Sequence, residues 1–340
     1  MAISLAVKYR PKTWNEVTEQ HSVVRILQNQ LTTGMIKNAY AFCGASGCGK
    51  TTLARIFASE INNHQGNPIE IDAASNNGVD NVRNIIQSAS ERSLDSTYKI
   101  FILDEAHMLS TQAWNAMLKL IEEPPKYTIF IFCTTDPQKI PNTILNRVQR
   151  YNLTRISSVG IHNRLKFICD SENIRYDDDA LDYIARISNG GMRDAISLLD
   201  KCTGYSEYIN NESVLNALGN YSYDVFFKLI NCMIDGKEQD VLSVVGDYYN
   251  AGNDLSLFVD QFFSFVLDVS KYAIFKSCEL TKLPTTYTKS LEDSTNFDGA
   301  VKYYGYVADK LLTLKQLIKG DSTVKETVEV ILLQITRCQQ

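Results

Sequence analysis

The chain has 340 residues, 44% of them hydrophobic, and a formal net charge of −5. This length allows two or three domains, and no apolar run reaches the roughly 18–20 residues that span a bilayer. The first residues lack the basic stretch of a signal peptide, so we expect a cytoplasmic protein without a membrane segment. The negative net charge gives no support to nucleic-acid binding, although basic groups can still line one face of an assembly.

The first half of the chain alternates apolar strands with helical stretches. Such buried strands, separated by helices, are typical of a parallel sheet covered on both faces. The predicted strands are Ala39–Cys43, Ile69–Asp72, Lys99–Asp104 and Tyr127–Thr134.

A glycine-rich loop follows the first of these strands and leads into a helix. It matches the phosphate-loop pattern GxxxxGK[ST] in the strand–loop–helix context that makes the match credible. Glycines let backbone amides approach phosphate oxygens, Lys50 adds a positive charge, and the Thr51 hydroxyl is a suitable Mg²⁺ ligand. The predicted loop residues are Gly44, Ala45, Ser46, Gly47, Cys48, Gly49, Lys50 and Thr51, with Thr52 next to them.

Two acids end the third predicted strand. They fall at the carboxyl edge of the sheet, where ligands of α/β proteins bind. Asp104 is predicted to hold Mg²⁺, directly or through water, and Glu105 to orient or deprotonate the attacking water. The alternative is that both acids only cap a helix over Ala106–Ile121.

After Thr154 the pattern becomes helical. We predict an α/β domain over 1–154, a helical lid over 155–218 and an all-α domain over 219–340, with a break near Gly219-Asn220. The polar stretch from Cys278 to Ala300 is expected to contain a long loop. The apolar run Leu255–Leu267 forms either the core of the last domain or a contact with another subunit.

The eight cysteines are scattered, without a CxxC pair. No histidine lies close enough to complete a zinc set, so buried or free thiols are expected.

Five segments resemble the bacterial DNA polymerase III gamma/tau subunit, the AAA+ ATPase of clamp loaders. The resemblance covers roughly residues 5–215, and its motifs follow one another in the order of the family. The segments are Tyr9-Arg10-Pro11 with Trp14, Asp72–Asp80, Asp104–Ser110, Asn115–Pro125 and Thr134–Pro141.

The resemblance implies further roles around an ATP site. Thr135 falls where AAA+ proteins sense the γ-phosphate, and Arg193 matches the second sensor on the helical lid. Arg147 matches the arginine that reaches the ATP of a neighbouring subunit, a task suited to a forked, permanently charged group. The alternatives are a surface arginine for Arg147 and a helix-terminal arginine paired with Asp194 for Arg193. The segment expected to line the adenine pocket contains Tyr9, Arg10 and Pro11, together with Val17.

The resemblance also implies partners: other subunits in a five-membered ring, a sliding clamp and primer-template DNA. DNA contact in such rings follows phosphates rather than bases. The matching positions, each of which has exposed surface as its simpler interpretation, are Asn76, Asn77, Arg83 and Lys119.

The chain departs from the family in four places. The segment after the phosphate-loop helix, 60–68, lacks the family's four-cysteine zinc module, so no zinc is expected. The Ser-Arg-Cys motif is Asn146-Arg147-Val148, and Glu19 replaces the glycine common before Gln20. The chain resembles the short form, without a tail for polymerase or helicase, and is compatible with a phage-encoded variant.

Two other functions remain open from the sequence. A different AAA+ DNA remodeller, such as a branch-migration motor or a helicase loader, would share the phosphate loop. A catalytically silent clamp-loader subunit would lose the phosphate-loop lysine, whereas this chain keeps Lys50.

Overall fold

The computed structural model describes residues 3–218, 223–319 and 323–337. The strands are β1 (Ala39–Cys43), β2 (Ile69–Asp72), β3 (Lys99–Asp104), β4 (Thr128–Thr134), β5 (Gln149–Asn152), β6 (Arg175–Tyr176) and β7 (Tyr208–Ile209). The helices are α1 (Leu5–Lys8), α2 (His21–Thr33), α3 (Lys50–Ile61), α4 (Val79–Ala89), α5 (Thr111–Glu122), α6 (Asn142–Leu145), α7 (Ser158–Glu172), α8 (Asp178–Ile187), α9 (Met192–Tyr205), α10 (Asn211–Leu218), α11 (Tyr223–Ile234), α12 (Glu238–Asn250), α13 (Leu255–Phe275), α14 (Thr288–Thr295), α15 (Ala300–Leu317) and α16 (Val324–Arg337). Short 3₁₀ turns lie at Trp14–Glu16, Ala106–Met108, Pro137–Lys139, Cys278–Leu280 and Thr285–Tyr287.

Five parallel strands form the main sheet in the order β2-β3-β4-β1-β5. The parallel sheet predicted from the sequence is therefore confirmed. β1 pairs with β4 on one side and β5 on the other. The loop that follows β1 thus starts from an interior strand, held by two ladders.

Side chains of the central strands alternate between the two faces of the sheet, as the strand period of two requires. In β4, Phe130 and Phe132 pack with α4 and α5, whereas Ile129 and Ile131 pack with α2 and α3. Helices cover both faces of the sheet, so both faces are apolar. The sequences of these strands are therefore continuous hydrophobic runs.

The fifth strand, β5, was not predicted. Its sequence Gln149-Arg150-Tyr151-Asn152 is polar, and only Tyr151 is buried. An edge strand has one unpaired side and needs no apolar run. Hydrophobicity alone therefore gave no signal for it.

The predicted helix over Ala106–Ile121 is wrong at its start. Residues 106–108 form a 3₁₀ turn, and α5 begins only at Thr111. Ser110 caps α5, since its hydroxyl accepts a hydrogen bond from the amide of Ala113 at 3.2 Å, the usual task of an N-cap serine. Asp104 and Glu105 are therefore separated from α5 and do not cap it.

The chain divides into two compact units. The sheet unit comprises Met1–Asn173 and Ile184–Asp200, and the helical unit comprises Ile174–Tyr183 and Lys201–Gln340. The boundaries 154/155 and 218/219 stay a prediction. The break at Gly219-Asn220 lies outside the described residues.

The helical unit is built around stacked and edge-on aromatic rings. Phe226, Phe258, Phe262 and Phe265 are buried together, with ring centroids 5.5–6.1 Å apart. Most of the apolar run of α13 thus fills the unit's own core, while Leu257 and Leu267 stay exposed. The stretch 278–300 contains two 3₁₀ turns and α14 rather than one long loop.

None of the helices in the described part of the chain combines the length and the apolar composition of a membrane span.

Candidate nucleotide-binding site

The phosphate loop runs from the end of β1 to the start of α3, and its glycines are needed for two reasons, close approach of other backbone atoms and positive φ. A Cβ at Gly44 would lie 2.7 Å from the carbonyl oxygen of Leu153, and one at Gly47 would lie 3.0 Å from Cα of Gly191. Gly49 has φ +102°, a region that glycine enters freely. A Cβ at Gly49 would meet no atom within 4 Å, so this part of the loop borders open space.

Lys50 is the first residue of α3, and its side chain turns back along the loop. The residue is only 6% exposed. Its Nζ donates to the carbonyl oxygens of Gly44, at 3.0 Å, and Ala45, at 2.9 Å. A buried ammonium held by carbonyls fixes the loop and leaves one donor for an anion.

Thr51 and Asp104 meet across the carboxyl edge of the sheet. The Thr51 hydroxyl donates to Oδ2 of Asp104 at 2.8 Å, and Oδ1 accepts from the amide of Glu105 at 3.0 Å. A hydroxyl and a carboxylate so close together are hard oxygen ligands of the kind that Mg²⁺ prefers. The donor set therefore fits the predicted metal.

Glu105 adopts a left-handed backbone conformation, with φ +47°. This conformation is uncommon for a residue with a side chain, and such outliers cluster at functional sites. Oε2 of Glu105 accepts from the Thr135 hydroxyl at 3.1 Å and lies 3.3 Å from Nδ1 of His107. The predicted base and the predicted sensor are thus in direct contact.

A cavity of about 350 Å³ lies beside the loop, within the sheet unit. Of the predicted nucleotide-binding residues, it is lined by Tyr9, Arg10, Pro11, Val17, Ser46, Gly47, Cys48, Gly49, Lys50, Thr51, Thr52, Asp104, Glu105 and Arg193. Gly44, Ala45, Thr135 and Arg147 are not among the lining residues. Sequence reasoning missed several others: Ala6, Thr18, Leu53, Arg55, Ile156, Arg164, Met192 and Ile196. These come from segments far apart in the chain, and no local pattern marks them.

Positive charge is concentrated in this cavity. Burial lowers the pKa of the Arg10 guanidinium from its usual value, and Arg55 and Arg193 act in the same direction. Positive charges brought together in a cleft attract an anion. Burial raises the pKa of the Cys48 thiol, so this loop cysteine stays protonated at neutral pH and is a poor nucleophile.

Helices α7 and α9 form one wall of the cavity. The amide of Met192, at the start of α9, donates to the carbonyl of Gly47 at 3.0 Å. Arg164 of α7 donates through Nη2 to the carbonyl of Tyr9 at 2.9 Å. The phosphate loop and the N-terminal segment are thus each attached to one of these helices.

Glu19 and Gln20 are consecutive residues with left-handed backbones, at φ +59° and +58°. A glycine would adopt this conformation without strain, which gives a physical reason for the family's glycine before Gln20. Here the Glu19 carboxylate accepts from the amide of Ser157 at 3.0 Å and from its hydroxyl. Gln20 bonds both the amide and the carbonyl of Thr154. These side-chain bonds hold the strained turn in place.

Arg147 lies away from the cavity. Its Nη2 is 2.7 Å from Oε1 of Glu122, and its Nη1 donates to the carbonyl of Thr143 at 2.6 Å. The side chain is 40% exposed. It does not contribute to this chain's own pocket, and its proposed reach into a neighbour stays a prediction.

The candidate DNA-contacting residues lie around the start of α4 and on α5. Asn76 donates through Nδ2 to the carbonyl of Asp72 at 3.0 Å, and the Asn77 carbonyl accepts from the amide of Ser110 at 3.2 Å. Arg83 pairs with Asp80 at 2.9 Å on the surface, and Lys119 is exposed. Their role stays a prediction.

The segment between α3 and β2, where the family's zinc module would fall, is a short turn. Among the described residues, no group of three or more His, Cys, Asp or Glu side chains could hold a metal ion. Cys338 lies outside those residues. The absence of zinc stays a prediction.

The parallel sheet, the phosphate loop at its carboxyl edge, the acidic pair on the next strand and the helices over the cavity define a P-loop protein of the AAA+ class. The family model described as the DNA polymerase III delta subunit matches residues 68–157. The model described as the ATPase lid domain of the DNA polymerase III clamp loader subunit matches residues 160–207.

Relatives of known function extend this similarity. The chain is 36% identical over 286 residues to the DNA polymerase III subunit tau of Bacillus subtilis, covering 78% of this chain and 51% of the relative. It is 33% identical over 328 residues to the gamma/tau subunit of Mycoplasma genitalium, covering 85% and 55%. For the tau subunit of Escherichia coli the identity is 33%, covering 72% and 41%. The chain therefore belongs to the gamma/tau family of DNA polymerase III subunits, as the sequence motifs predicted.

The chain spans about half the length, or less, of these relatives. Among solved structures, the Thermotoga maritima RuvB Holliday junction branch migration motor matches with a TM-score of 0.53 and 21% identity, covering 66% of this chain and 79% of that one. At this identity the likeness shows the fold alone.

Proposed function

We propose that this chain is the ATP-hydrolysing subunit of a sliding-clamp loader, which opens a clamp and places it on primer-template DNA. One observation carries the proposal: similarity to gamma/tau subunits runs through both the sheet and the lid helices, over 286 residues. The phosphate loop and the acidic pair lie within the same cavity wall. The likeness to RuvB concerns the fold and does not favour a branch-migration motor.

Each side chain in the cavity has a proposed task with ATP as the substrate. The loop amides and Lys50 bind the phosphates, and Arg193 neutralises their charge from the lid side. Thr51 and Asp104 would hold Mg²⁺, which supplies charge neutralisation at the phosphates when bound. Glu105 orients the attacking water and takes its proton. The apolar side of the cavity, with Tyr9, Pro11 and Val17, accommodates the base.

The proposed ring depends on contacts between this chain and neighbouring subunits. In a five-membered ring, Arg147 of each ATPase subunit leaves Glu122 and reaches the phosphates bound by its neighbour. Both side chains of the Arg147–Glu122 pair are about 40% exposed, and exposed ion pairs are weak enough to exchange partners. The DNA contacts proposed for Asn76, Asn77, Arg83 and Lys119 would face the centre of the ring.

The test is the ATPase rate of the purified protein with its candidate partner subunits, with and without clamp and primer-template DNA. The proposal expects stimulation by both clamp and DNA, and a five-membered complex by native mass spectrometry. Stimulation by DNA alone, or a hexamer of this chain alone, would instead indicate another AAA+ remodeller.

Substitution of Arg147 by alanine tests the ring. We expect unchanged ATP binding by the isolated subunit, and hydrolysis slower by about 10³-fold or more at the sites that the arginine reaches, the scale of such fingers. Arg150→Ala is the matched control, because the exposed Arg150 side chain bonds Asn152 within its own strand and does not line the cavity. Equal rates for the two variants would remove the finger assignment.

A further inference from the structure

His107 lies three residues beyond Asp104, in the 3₁₀ turn that separates β3 from α5. Its side chain is only 11% exposed. Its Nδ1 is 3.3 Å from Oε2 of Glu105 and 3.2 Å from Oγ1 of Thr134. The imidazole is thus packed between the ends of two neighbouring strands, with one nitrogen facing the proposed base.

The surroundings select the ring nitrogen that carries the proton. A neutral imidazole has one N–H, and the neighbour of the other nitrogen fixes which one it is. Oγ1 of Thr134 already accepts from the amide of Asp136 at 3.1 Å. A carboxylate oxygen can only accept, whereas the Thr134 hydroxyl can both donate and accept. A proton on Nδ1 would face Oε2 of Glu105 at 3.3 Å.

Two side chains approach the same carboxylate oxygen. Oε2 of Glu105 accepts from the Thr135 hydroxyl at 3.1 Å, and Nδ1 of His107 lies 3.3 Å from the same oxygen. Within the described parts of the chain, Oε1 has no hydrogen-bond partner. A glutamate side chain otherwise has several accessible rotamers, and ordering it costs conformational entropy. The contacts of Thr135 and His107 with Oε2 restrict the rotamers of Glu105 and leave Oε1 available.

We propose that His107 is a positioning residue for hydrolysis: its Nδ1–H holds Oε2 of Glu105, so that Oε1 faces the water to be deprotonated. The inference rests on the proposed ATPase function and adds a residue to which neither the motifs nor the family resemblance gave a role. His107 does not touch the nucleotide cavity itself. Its loss should therefore slow the chemical step and leave nucleotide binding intact.

Three substitutions of His107 separate hydrogen bonding from packing. In His107→Asn the amide Nδ2 can replace the Nδ1–H donor, His107→Phe keeps a ring without a donor, and His107→Ala removes both. For the full chain with its partner subunits, we expect the alanine and phenylalanine variants to lose about 10–100-fold in kcat, the scale of a misplaced catalytic group. The dissociation constant for ATP should change by no more than about twofold, as for an interaction that acts only in the transition state.

His64→Ala is the matched control. His64 also lies near a glutamate, with Nε2 3.9 Å from Oε1 of Glu60, but its side chain is 66% exposed and it does not line the cavity. The kcat of the His64→Ala variant should equal that of the wild type. Thermal unfolding of every variant, followed by tryptophan fluorescence, shows whether the sheet unit stays folded.

The outcomes are distinct. Recovery of most of the wild-type kcat by His107→Asn, with low kcat in His107→Phe, supports the inference. Wild-type kcat in His107→Ala, or equal rates for the asparagine and phenylalanine variants, overturns it while the ATPase proposal stands. A wild-type protein that does not hydrolyse ATP in the assembled complex overturns the ATPase proposal, and this inference with it.

Discussion

The two units of the chain specify their structures through different kinds of sequence information. In the sheet unit, particular residues at fixed spacings are required, because the proposed site needs backbone amides and one ammonium around an anion, with two acids beside it. In the helical unit, only the periodicity of apolar residues matters, and rings such as Phe258 and Phe262 fill space without a motif. Substitutions should therefore impair ligand chemistry in one unit and stability in the other.

Lys50→Ala should have the largest effect on the sheet unit. The variant loses the buried ammonium that bonds the carbonyls of Gly44 and Ala45 and that is proposed to bind the phosphates. We expect ATP affinity to fall on the order of 100-fold or more, since a charge-assisted contact contributes about 3 kcal/mol. Equilibrium titration with a fluorescent ATP analogue measures it. Lys37→Ala, at an exposed position outside the cavity, is the control, and equal affinities would contradict the assignment.

Glu105→Gln should separate binding from chemistry within the same unit. The amide keeps the size of the side chain but cannot take a proton. We expect ATP binding close to that of the wild type and a kcat lower by about 10²–10⁴-fold, the usual contribution of a general base. Single-turnover hydrolysis is the measurement. Wild-type turnover by this variant would show that another group accepts the proton.

Phe262→Ala should have its effect in the other unit. Phe262 is fully buried among Phe226, Phe258 and Phe265, and removing such a ring costs about 3–5 kcal/mol. Both tryptophans, Trp14 and Trp114, belong to the sheet unit. In urea, the unfolding transition followed by circular dichroism should therefore move to a lower urea concentration. The transition followed by tryptophan fluorescence should move less.

The control for Phe262→Ala is a residue of the same helix that faces solvent. Leu257 is 48% exposed on α13, so Leu257→Ala should change stability by less than about 1 kcal/mol. Equal shifts of the dichroism and fluorescence transitions in Phe262→Ala would show that the two units unfold together. The loss of stability would then not be confined to the helical unit.

Gly160→Ala should give the smallest effect, with a size that depends on Glu19. A Cβ at Gly160 would lie 2.6 Å from Oε1 of Glu19, so we expect a loss of about 1–3 kcal/mol in unfolding free energy. In a Glu19→Gly background the loss should fall below about 1 kcal/mol, because two of the three atoms nearest to the added Cβ belong to the Glu19 carboxylate and the third, Cγ2 of Ile156, lies at 3.1 Å. Urea unfolding by tryptophan fluorescence measures both. Additive effects would mean that the carboxylate does not restrict Gly160.

The sequence predicted the sheet, the phosphate loop and the acidic pair, because each depends on local spacing or on a continuous apolar run. It did not predict β5, whose edge position removes the need for apolar residues. It also did not predict the break between Glu105 and Thr111, which depends on a left-handed backbone that glutamate seldom adopts. Arg55 and Arg164 reach the cavity through the fold alone. His107 stood within a recognised motif, but only the distances to Glu105 and Thr134 give it a role.

The close approach of Gly47 and Gly191 has a consequence for mutational tolerance. One backbone contact joins the phosphate loop to the turn before α9, and the amide of Met192 bonds the carbonyl of Gly47 beside it. A side chain at Gly47 would collide with Cα of Gly191 and would also have to accept φ +70°. Substitutions there should impair the loop and the helix that carries Arg193 together, so this position should tolerate fewer amino acids than Ser46 beside it.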